Sequence, residues 1–350
     1  MKSFENDVLN ILYESEIEFV RRVDDKKLWQ ETFNLLEYQS TEYLSSRIDY
    51  LNEYNKDNNE DLIDISLIFF VNNKPIGLWP LTACQNLNTK YLSSQCSHIL
   101  PPILIPNNSS KIVKKIQSNC FNLVNKLCEN FDQKNWTSLT PFLDNSYVND
   151  WHFMCLNEKA VSRAQYNIYV DLSKDLELIK SNYRKRYKTL INKSKKLWSV
   201  KVHDSSIDKN IWKEFMNLHK FASGRVTRSK KTWEIQYQDI LDGCAILVSI
   251  HKECDEMVGA ALISFSMHEG RYDVGAYNRD LFDQPIGHIA QHTAIEELKK
   301  RNIKFYKIGR KYFQSDMPAP SPKEISISHF KEGFGSFIAS EFIQDYQINL

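Results

Sequence analysis

Residues 245–277, AILVSIHKECDEMVGAALISFSMHEGRYDVGAY, decide the fold of this 350-residue chain. The segment contains three apolar stretches with the period of two that is typical of strands. Short polar turns at 252–256 and 268–270 separate the stretches, as expected when consecutive strands pair antiparallel. The segment therefore predicts a three-stranded meander, with strands at 245–251, 257–267 and 271–277.

Helical segments flank the meander on both sides along the chain. Before it, a short strand at 199–203 is followed by amphipathic segments at 211–221 and 232–241. After it, a helix at 285–301 leads into a strand at 303–308. This order of strand, helices, meander, helix and strand predicts an α+β domain in which helices flank a mixed sheet.

The first half of the chain repeats this order less clearly. Residues 5–55 show helical spacing of apolar side chains, and residues 63–84 contain two apolar runs around the turn-forming residues 72–75. The two runs predict a hairpin. An amphipathic helix at 111–131 and a strand at 136–142 follow.

Chain length and the repeated order together predict two domains. A chain of 350 residues is longer than a single hydrophobic core usually needs. We place the N-terminal domain at 1–164 and the C-terminal domain at 165–350, with the last strand packing back on the first domain. The two copies would then face a shared cleft.

Composition excludes several classes of protein. The 45 Lys and Arg residues nearly balance the 44 Asp and Glu residues, so we expect no DNA partner and only local electrostatic function. No apolar run is long enough for a secretory signal or a bilayer span, so we expect a cytoplasmic protein. The seven cysteines form no C-x-x-C pair, which argues against a disulfide framework or a zinc ribbon. They are at positions 84, 96, 120, 128, 155, 244 and 254.

The strongest local charge feature is residues 184–196, RKRYKTLINKSKK, with seven basic residues in thirteen and no acid. Most such runs are solvated helix faces. A one-sign block in a nearly neutral chain also fits a phosphate or polyanion contact. Arg184, Arg186 and Lys188 are therefore candidate donor contacts, for which coenzyme A, a sugar nucleotide or a tRNA end would serve equally well.

A second basic feature is the loop SGRVTRS at 223–229. Arg225 and Arg228 could clamp a carboxylate or phosphate, because guanidinium groups match the geometry of these anions. The alternative is that Gly224 ends one helix, Ser229 begins the next and both arginines lie in solvent.

The start of the helix at 285–301 is a candidate anion site. Its free backbone N–H groups and dipole favour negative charge, and Gly287 allows close approach. His288 and His292 share a helix face, but without the glutamate of the H-E-x-x-H motif we predict no metal.

Residues 325–336, ISISHFKEGFGS, alternate in polarity before a glycine-rich turn. On residue types alone we predict a last strand here, followed by a turn, with Lys331 exposed. The chain contains no G-x-S-x-G elbow, no Cys-His protease signature and no P-loop.

Four segments together resemble the Fem family of tandem-GNAT aminoacyltransferases, which form peptidoglycan bridges. In that family a basic R-K-x-x-R-x-x-I-x-K-A-x-K helix precedes the second GNAT unit, a long helix leads into a Y-D-x-G strand, and a Phe-Lys pair follows. The matching residues are 184–196, 306–309 and Phe330-Lys331. The resemblance covers residues 165–345. The four segments are 182–202, 270–280, 287–309 and 329–335.

The resemblance implies an α+β fold of two GNAT-like domains in tandem and attack of an acceptor amine on an activated acyl carbonyl. By the family pattern, Lys331 would stabilise the donor or the developing oxyanion, and Phe330 would pack against the donor. For the general base we expect Asp273 or His329, with proton loss to water as an equal alternative. The remaining candidate contacts are Tyr277, Gly287, His288 and Gln291.

The chain departs from the family pattern. Lys307 stands where the family has aspartate, the sequence has no long insertion that resembles the helical arm of some members, and the peptidoglycan enzymes tend to be longer. Separately, a single glycine, Gly287, stands where acetyl-CoA enzymes of this fold carry a glycine-rich pyrophosphate loop. This difference weakens the case for ordinary acetyl-CoA use.

We therefore predict an acyltransferase that joins an acyl or aminoacyl group to an amine of a sugar, nucleotide-sugar or surface-glycan precursor. Acyl-CoA or aminoacyl-tRNA would be the co-substrate, with no tightly bound cofactor. Two alternatives stay open. The chain could be a non-catalytic protein that binds RNA or another polyanion, or a plain acyl-CoA-dependent N-acetyltransferase.

Overall fold

The computed structural model divides the chain into two compact units. Unit 1 comprises Met1–Gln165 and Ser340–Leu350, and unit 2 comprises Tyr166–Ala339. The chain passes from unit 1 to unit 2 within the strand Val161–Asp171 and returns within the strand Phe337–Gln347. The residues that the structure describes are 2–56, 61–87, 89–95, 97–144 and 148–348, so Cys96 lies outside them.

Unit 1 contains five helices among its described residues. They are α1 (Lys2–Tyr13), α2 (Lys26–Phe33), α3 (Ser45–Tyr54), α4 (Ser110–Asn130) and α5 (Asp150–Asn157), with a 3₁₀ turn at Thr41–Tyr43. Its strands are β1 (Phe19–Arg21), β2 (Asp61–Asp64), β3 (Leu67–Val71), β4 (Lys74–Trp79), β5 (Thr82–Asn86), β6 (Thr89–Ser93), β7 (Ile103–Leu104), β8 (Asn135–Thr140) and the first part of β9 (Val161–Asp171).

The hairpin and the long amphipathic helix of unit 1 are confirmed. β3 and β4 pair antiparallel, and the turn between them is Asn72-Asn73, both with positive φ, as a two-residue hairpin turn requires. The helical prediction for 5–55 is wrong in part, because β1 interrupts it and pairs with β3. Edge pairing outweighs local helical spacing there.

The core of unit 1 has two clusters of buried side chains. The larger one is formed by α1, α4 and α5 against the strands, and it includes the closely spaced indole rings of Trp79, Trp136 and Trp151. The smaller one, around Trp29 and Tyr43, packs α2 and α3 against the opposite face of β3 and β4. Both faces of the hairpin are therefore buried.

Unit 2 contains six helices among its described residues, with a 3₁₀ turn at Arg279–Leu281. They are α6 (Leu176–Ser181), α7 (Tyr187–Leu197), α8 (Lys209–Ser223), α9 (Lys230–Leu241), α10 (Ile286–Lys300) and α11 (Pro322–Glu332). Its strands are the second part of β9, β10 (Ser199–His203), β11 (Ala245–His251), β12 (Met257–Phe265), β13 (Glu269–Tyr277), β14 (Phe305–Lys311) and the start of β15 (Phe337–Gln347).

The predicted meander is the centre of unit 2. Strands β10, β11, β12 and β13 pair antiparallel in that order, β14 joins β13 in parallel, and β9 pairs antiparallel with β14. Helices α7 and α10 cover one face of this sheet, and α8 and α9 cover the other. The predicted α+β class, with helices flanking a mixed sheet, is confirmed.

The two parallel strands separate soon after they begin to pair. β13 and β14 are in register only from Glu269 opposite Phe305 to Arg271 opposite Lys307. Each then carries a bulge, which leaves Asp273 without a partner in the β12 ladder and Ile308 without one in the β9 ladder. Because bulges redirect side chains and increase twist, a cleft opens between the two strands within unit 2.

Residues 325–336 form no strand, so that prediction is wrong. They continue α11, which begins with a complete capping box between Ser321 and Glu324 and has proline in its first turn. The alternating ISIS sequence fits a strand locally, but the cap starts a helix first. The strand follows at β15, and Lys331 lies on the last turn of α11, partly buried and not exposed as predicted.

Of the helices in the described parts of the chain, none is both long and apolar enough to cross a membrane.

Candidate active site

The cleft between β13 and β14 brings together a polar cluster from four elements of unit 2. We call it the Lys331 cluster. β13 contributes an arginine and two tyrosines, α10 a glutamine, β14 a tyrosine and a glycine, and α11 the lysine. Its members are Arg271, Tyr272, Tyr277, Gln291, Tyr306, Gly309 and Lys331.

The Lys331 ammonium lies over the ring of Tyr272, with Nζ 5.2 Å from the ring centroid. It forms no hydrogen bond or ion pair with any residue that the structure describes. Gly309 lies on its other side, where a Cβ would be 2.5 Å from Nζ, and its φ of +144° is one that other residues rarely adopt. The ammonium is thus held by packing, with its donors available to a ligand.

Burial lowers the pKa of Lys331 from its ordinary value to about 8, and the positive charge of Arg271 adds to the effect. Taking an ammonium out of water disfavours its charged form. At neutral pH the group is still mostly protonated, so it can donate hydrogen bonds to a developing negative charge. Titratable groups with such shifts are concentrated at functional sites.

Buried hydroxyl groups form the floor beneath Lys331. The Tyr272 and Tyr277 hydroxyl oxygens are 3.3 Å apart, and the Tyr306 hydroxyl donates to Oε1 of Gln291 at 2.8 Å. Burial raises the pKa of all three phenols, so they stay neutral. Tyr277 and Gln291, predicted as substrate contacts, therefore bond to other members of this floor.

The start of α7 fixes the end of α11. Arg184 Nη2 donates to the carbonyl of His329 at 3.0 Å, and the Tyr187 hydroxyl donates to the carbonyl of Phe330 at 2.9 Å. Gly333 allows this contact, because any Cβ there would collide with the Tyr187 ring. These donors bond to carbonyls in the last turn of α11, and they hold the turn that carries Lys331.

The predicted anion site at the start of α10 is covered by aromatic rings. A Cβ on Gly287 would lie 3.2 Å from the Phe330 ring, and the His288 ring packs at 5.0 Å from that of Phe330 and 4.6 Å from that of Tyr187. Burial, with the nearby charge of Arg186, lowers the pKa of His288 to about 4. His288 is therefore neutral, and the close approach at Gly287 is made by Phe330.

His292 lies one turn further along α10 and has different partners. Its Nε2 is 3.2 Å from Glu296, and its Nδ1 is 3.4 Å from the Tyr183 hydroxyl. The two histidines of α10 thus serve separate contacts.

The two candidate bases have different surroundings. Asp273 accepts from the backbone N–H of Ser264 at 3.2 Å and lies 3.3 Å from Nε of Arg271. His329 is exposed, and its Nδ1 is 3.3 Å from Nη1 of Arg184. The structure thus places Asp273 where it orients Arg271, beside the Lys331 cluster.

Most cations of the basic block, residues 184–196, have no counter-charge among the described residues. Six of its side chains are exposed, and none forms an ion pair with a described residue. They are Lys185, Arg186, Lys188, Lys193, Lys195 and Lys196. Arg184, the seventh, is engaged with α11, and Lys185 and Arg186 lie with it before the first residue of α7. The result is a positively charged surface, which we call the face of α7, formed by four lysines of the helix and the two cations that precede it.

The loop at 223–229 has the two helix caps of the capping alternative. Gly224 ends α8 with a φ of +73°, and the Ser229 side chain caps α9, as the capping alternative predicts. Arg225 is exposed, whereas Arg228 stacks 4.8 Å from the Trp233 ring and donates to Gln236. The two guanidinium groups therefore have separate environments.

Sequence reasoning did not single out Arg271, Tyr272, Tyr187 or Gly309 as site residues. Arg271 and Tyr272 lie in the GRYDVGAY segment that defines the meander, and Gly309 ends the YKIG motif. The available signal was position. Arg271 is in the last pair of the parallel ladder, and Tyr272 and Gly309 lie just beyond it, where the strands separate. Such crevices are the usual place for ligands in open sheets.

The sequence itself matches no protein-family model and no curated protein. Among solved structures, the chain is similar to FemX, with a TM-score of 0.64 and 12% identity over 91% of this chain and 96% of that one. It is also similar to L-PGS from Bacillus licheniformis, with a TM-score of 0.55 and 12% identity over 93% of both chains. A tandem GNAT protein from the clavulanic acid biosynthesis pathway gives a TM-score of 0.51 and 9% identity over 96% of this chain and 99% of that one.

These likenesses show the fold. The chain has the tandem GNAT-like fold of these structures, as predicted, and FemX is among the proteins that share it.

Proposed function

We propose that this tandem-GNAT chain is an N-acyltransferase that forms an amide between an activated acyl or aminoacyl donor and an acceptor amine. One observation carries the proposal. The Lys331 ammonium is enclosed beside Tyr272 and Gly309 without a hydrogen-bond acceptor among the described residues. A partly desolvated donor in this state is suited to a developing oxyanion.

In the proposed reaction the acceptor amine attacks the donor carbonyl carbon. A C–N bond forms, the carbonyl π electrons move to oxygen, and Lys331 donates a hydrogen bond to that oxyanion. Collapse of the intermediate breaks the bond to the leaving oxygen or sulfur, and the proton lost by the amine neutralises the leaving group. We assign the proton transfer to water or to His329, because Asp273 already accepts from Ser264 and pairs with Arg271.

The donor is proposed to be acyl-CoA or aminoacyl-tRNA, with its phosphates near Arg186 and Lys188. Both side chains are exposed and carry no ion pair with a described residue. Phe330 and His288, with the buried Tyr187 ring behind them, offer an aromatic surface for the uncharged part of the donor. Arg184 acts indirectly, by holding the turn of Lys331.

We propose an amine of a sugar, nucleotide-sugar or cell-envelope glycan precursor as the acceptor, in the cytoplasm. The deciding experiment incubates purified protein with each donor class and a panel of amino-sugars, and detects the amide by mass spectrometry. Thermal-shift screening with CoA, acyl-CoA and aminoacyl-tRNA analogues identifies the donor independently. Failure of every donor to form an amide, despite measurable donor binding, would contradict the proposal.

The rate should fall as pH rises through about 8. Lys331 must be protonated to donate to the oxyanion, and its pKa is lowered to about 8 by burial. Hydroxylamine, a weakly basic acceptor, remains neutral over this range. With this acceptor, the fall of the rate with pH therefore reports on Lys331 and not on ionisation of the amine. Lys331→Arg should remove that limb, since guanidinium stays charged. A rate that keeps rising above pH 9 with the wild-type protein would rule out this role.

A second candidate function is non-catalytic binding of RNA or another polyanion. The observation in its favour is the face of α7, with six exposed cations that have no ion-pair partner among the described residues. This function and aminoacyl-tRNA use both require phosphate contacts on this face. Acyl transfer from aminoacyl-tRNA would support the enzyme, and tRNA binding without acyl transfer would support the non-catalytic function.

Charge reversal of Lys185, Arg186 and Lys188 to glutamate tests the phosphate contacts. We expect weaker binding to tRNA and a shallower dependence of log K on log salt, by roughly 0.7 for each phosphate that the variant no longer neutralises. The matched control reverses three exposed lysines of α8, which changes net charge equally. They are Lys209, Lys213 and Lys220. Equal effects of both triple variants would exclude a specific phosphate site on α7.

A further inference from the structure

Unit 1 contains a pocket of its own, with a volume of about 470 Å³. Its walls come from the segment after α2, from β7 and the loop that follows it, from α4, and from the chain before and at the start of α5. A cavity of this size suits a small organic molecule. The proposed acyl transfer at the Lys331 cluster does not use it.

A buried amide marks the inner wall of the pocket. Gln117 on α4 has only 8% of its surface exposed, and it lines the pocket. Its side chain forms no hydrogen bond with any residue that the structure describes. The amide N and O atoms still reach the water of the pocket, so they are open to hydrogen bonds from a ligand. A polar ligand in the pocket would satisfy them.

The charges around the pocket have one sign. Its described lining contains no lysine, arginine or histidine, but it includes Glu37, Asp144 and Asp150. Glu37 and Asp150 are exposed at the rim and form no ion pair with a described residue. A phosphate or carboxylate ligand would meet repulsion here, whereas a protonated amine would be attracted.

The remaining wall is mixed, with an apolar part that is well supported. Leu36 and Tyr38 are buried, and the Tyr38 ring packs edge-on against Phe142 at 6.1 Å. Asn108 donates from its amide to the carbonyl of Ile105 at 2.9 Å, which holds the opposite loop. A ligand with both polar groups and a small carbon body would fit such a lining.

We propose that this pocket binds a small molecule with a protonated amine, either an amino-sugar or an amino-acid derivative. The amine lies toward Glu37 and Asp150, a hydroxyl or amide group of the ligand bonds to Gln117, and the carbon body contacts the apolar wall. The proposal goes beyond the acyl transfer, because it concerns binding in unit 1 and needs no donor.

Isothermal titration of the full chain tests the proposal with four probes. Glucosamine and L-alaninamide carry the amine, N-acetylglucosamine lacks its charge, and UDP-N-acetylglucosamine adds a diphosphate. We expect saturable binding of glucosamine or alaninamide, and the one that binds identifies the source of the amine. N-acetylglucosamine and the nucleotide-sugar should bind at least tenfold more weakly.

Variants locate the binding in this pocket. Gln117→Leu should lower the affinity for the amine about tenfold. The double variant Glu37→Gln, Asp150→Asn should lower it by a similar factor. The controls are Asn122→Leu, on the exposed face of α4, and Glu129→Gln, an exposed carboxylate near its end. If Gln117→Leu fails to fold, as judged by circular dichroism, the double variant at the rim decides.

Three outcomes would overturn the proposal: no saturable binding of either amine, equal binding of the N-acetylated sugar, or affinity unchanged in the folded variants. Lys331→Met should leave amine binding in unit 1 intact. Failure of acyl transfer therefore cannot be mistaken for failure of this site, since binding is measured without a donor.

Discussion

Lys331→Met is expected to lower the turnover number for acyl transfer by about 10²- to 10³-fold, the usual cost of removing one oxyanion donor. The same change should leave the protein as stable as before or more stable. Burial that lowers the pKa of Lys331 to about 8 also destabilises the folded state at neutral pH, by up to about 3 kcal/mol. Methionine keeps an unbranched side chain as far as the ε position and removes the buried charge.

The measurements are single-turnover kinetics and urea unfolding at pH 7, with Lys323→Met as the control. Lys323 is an exposed lysine on the first turn of the same helix, α11. The stability gain should shrink between pH 8 and about 10.4, where the wild-type ammonium deprotonates in the folded state before it does in the unfolded one. Loss of turnover together with loss of folding, or turnover equal to that of Lys323→Met, would refute the assignment.

Gly309→Ala is expected to lower turnover by about 10- to 100-fold and to reduce the free energy of unfolding by about 1–2 kcal/mol. The new Cβ would lie 2.5 Å from Nζ of Lys331, so the flexible ammonium would move away from its place over Tyr272. The φ of +144° accounts for the loss of stability. Displacement of a reacting group by about 1 Å is enough for a large loss of rate.

Gly224→Ala separates these two effects. Gly224 also has positive φ, at +73°, but no atom lies within 4 Å of where its Cβ would be. We expect a similar loss of stability and unchanged turnover in this variant. Equal turnover in Gly224→Ala and Gly309→Ala would show that the backbone at Gly309 has no part in placing the ammonium.

The meander, the hairpin and the helix caps could be predicted because their signals are local. The strand predictions at 199–203 and 245–251 coincide with β10 and β11, and the side chains of β11 pack between helices on both faces. Paired asparagines made the hairpin turn predictable. Gly224 and Ser229 take their capping roles through bonds to residues within four positions.

The site was predicted only in part. The Phe-Lys pair and the basic block were visible because they are contiguous motifs. Arg271, Tyr272 and Gly309 were missed, since their role depends on where β13 and β14 part. Lys331 was expected to be exposed, because residues 325–336 alternate like a strand while the cap at Ser321 begins a helix upstream.

The sequence by itself determined the elements of this protein, their order and the cationic character of α7, because periodicity, capping and charge act over a few residues. Only the tertiary structure decided which charges are neutralised and which are buried. Arg184 bonds to α11 whereas Arg186 stays exposed, and Lys331 is partly buried near Arg271, which lowers its pKa. Solvation and partner geometry depend on atoms brought together from distant parts of the chain, and no local pattern encodes them.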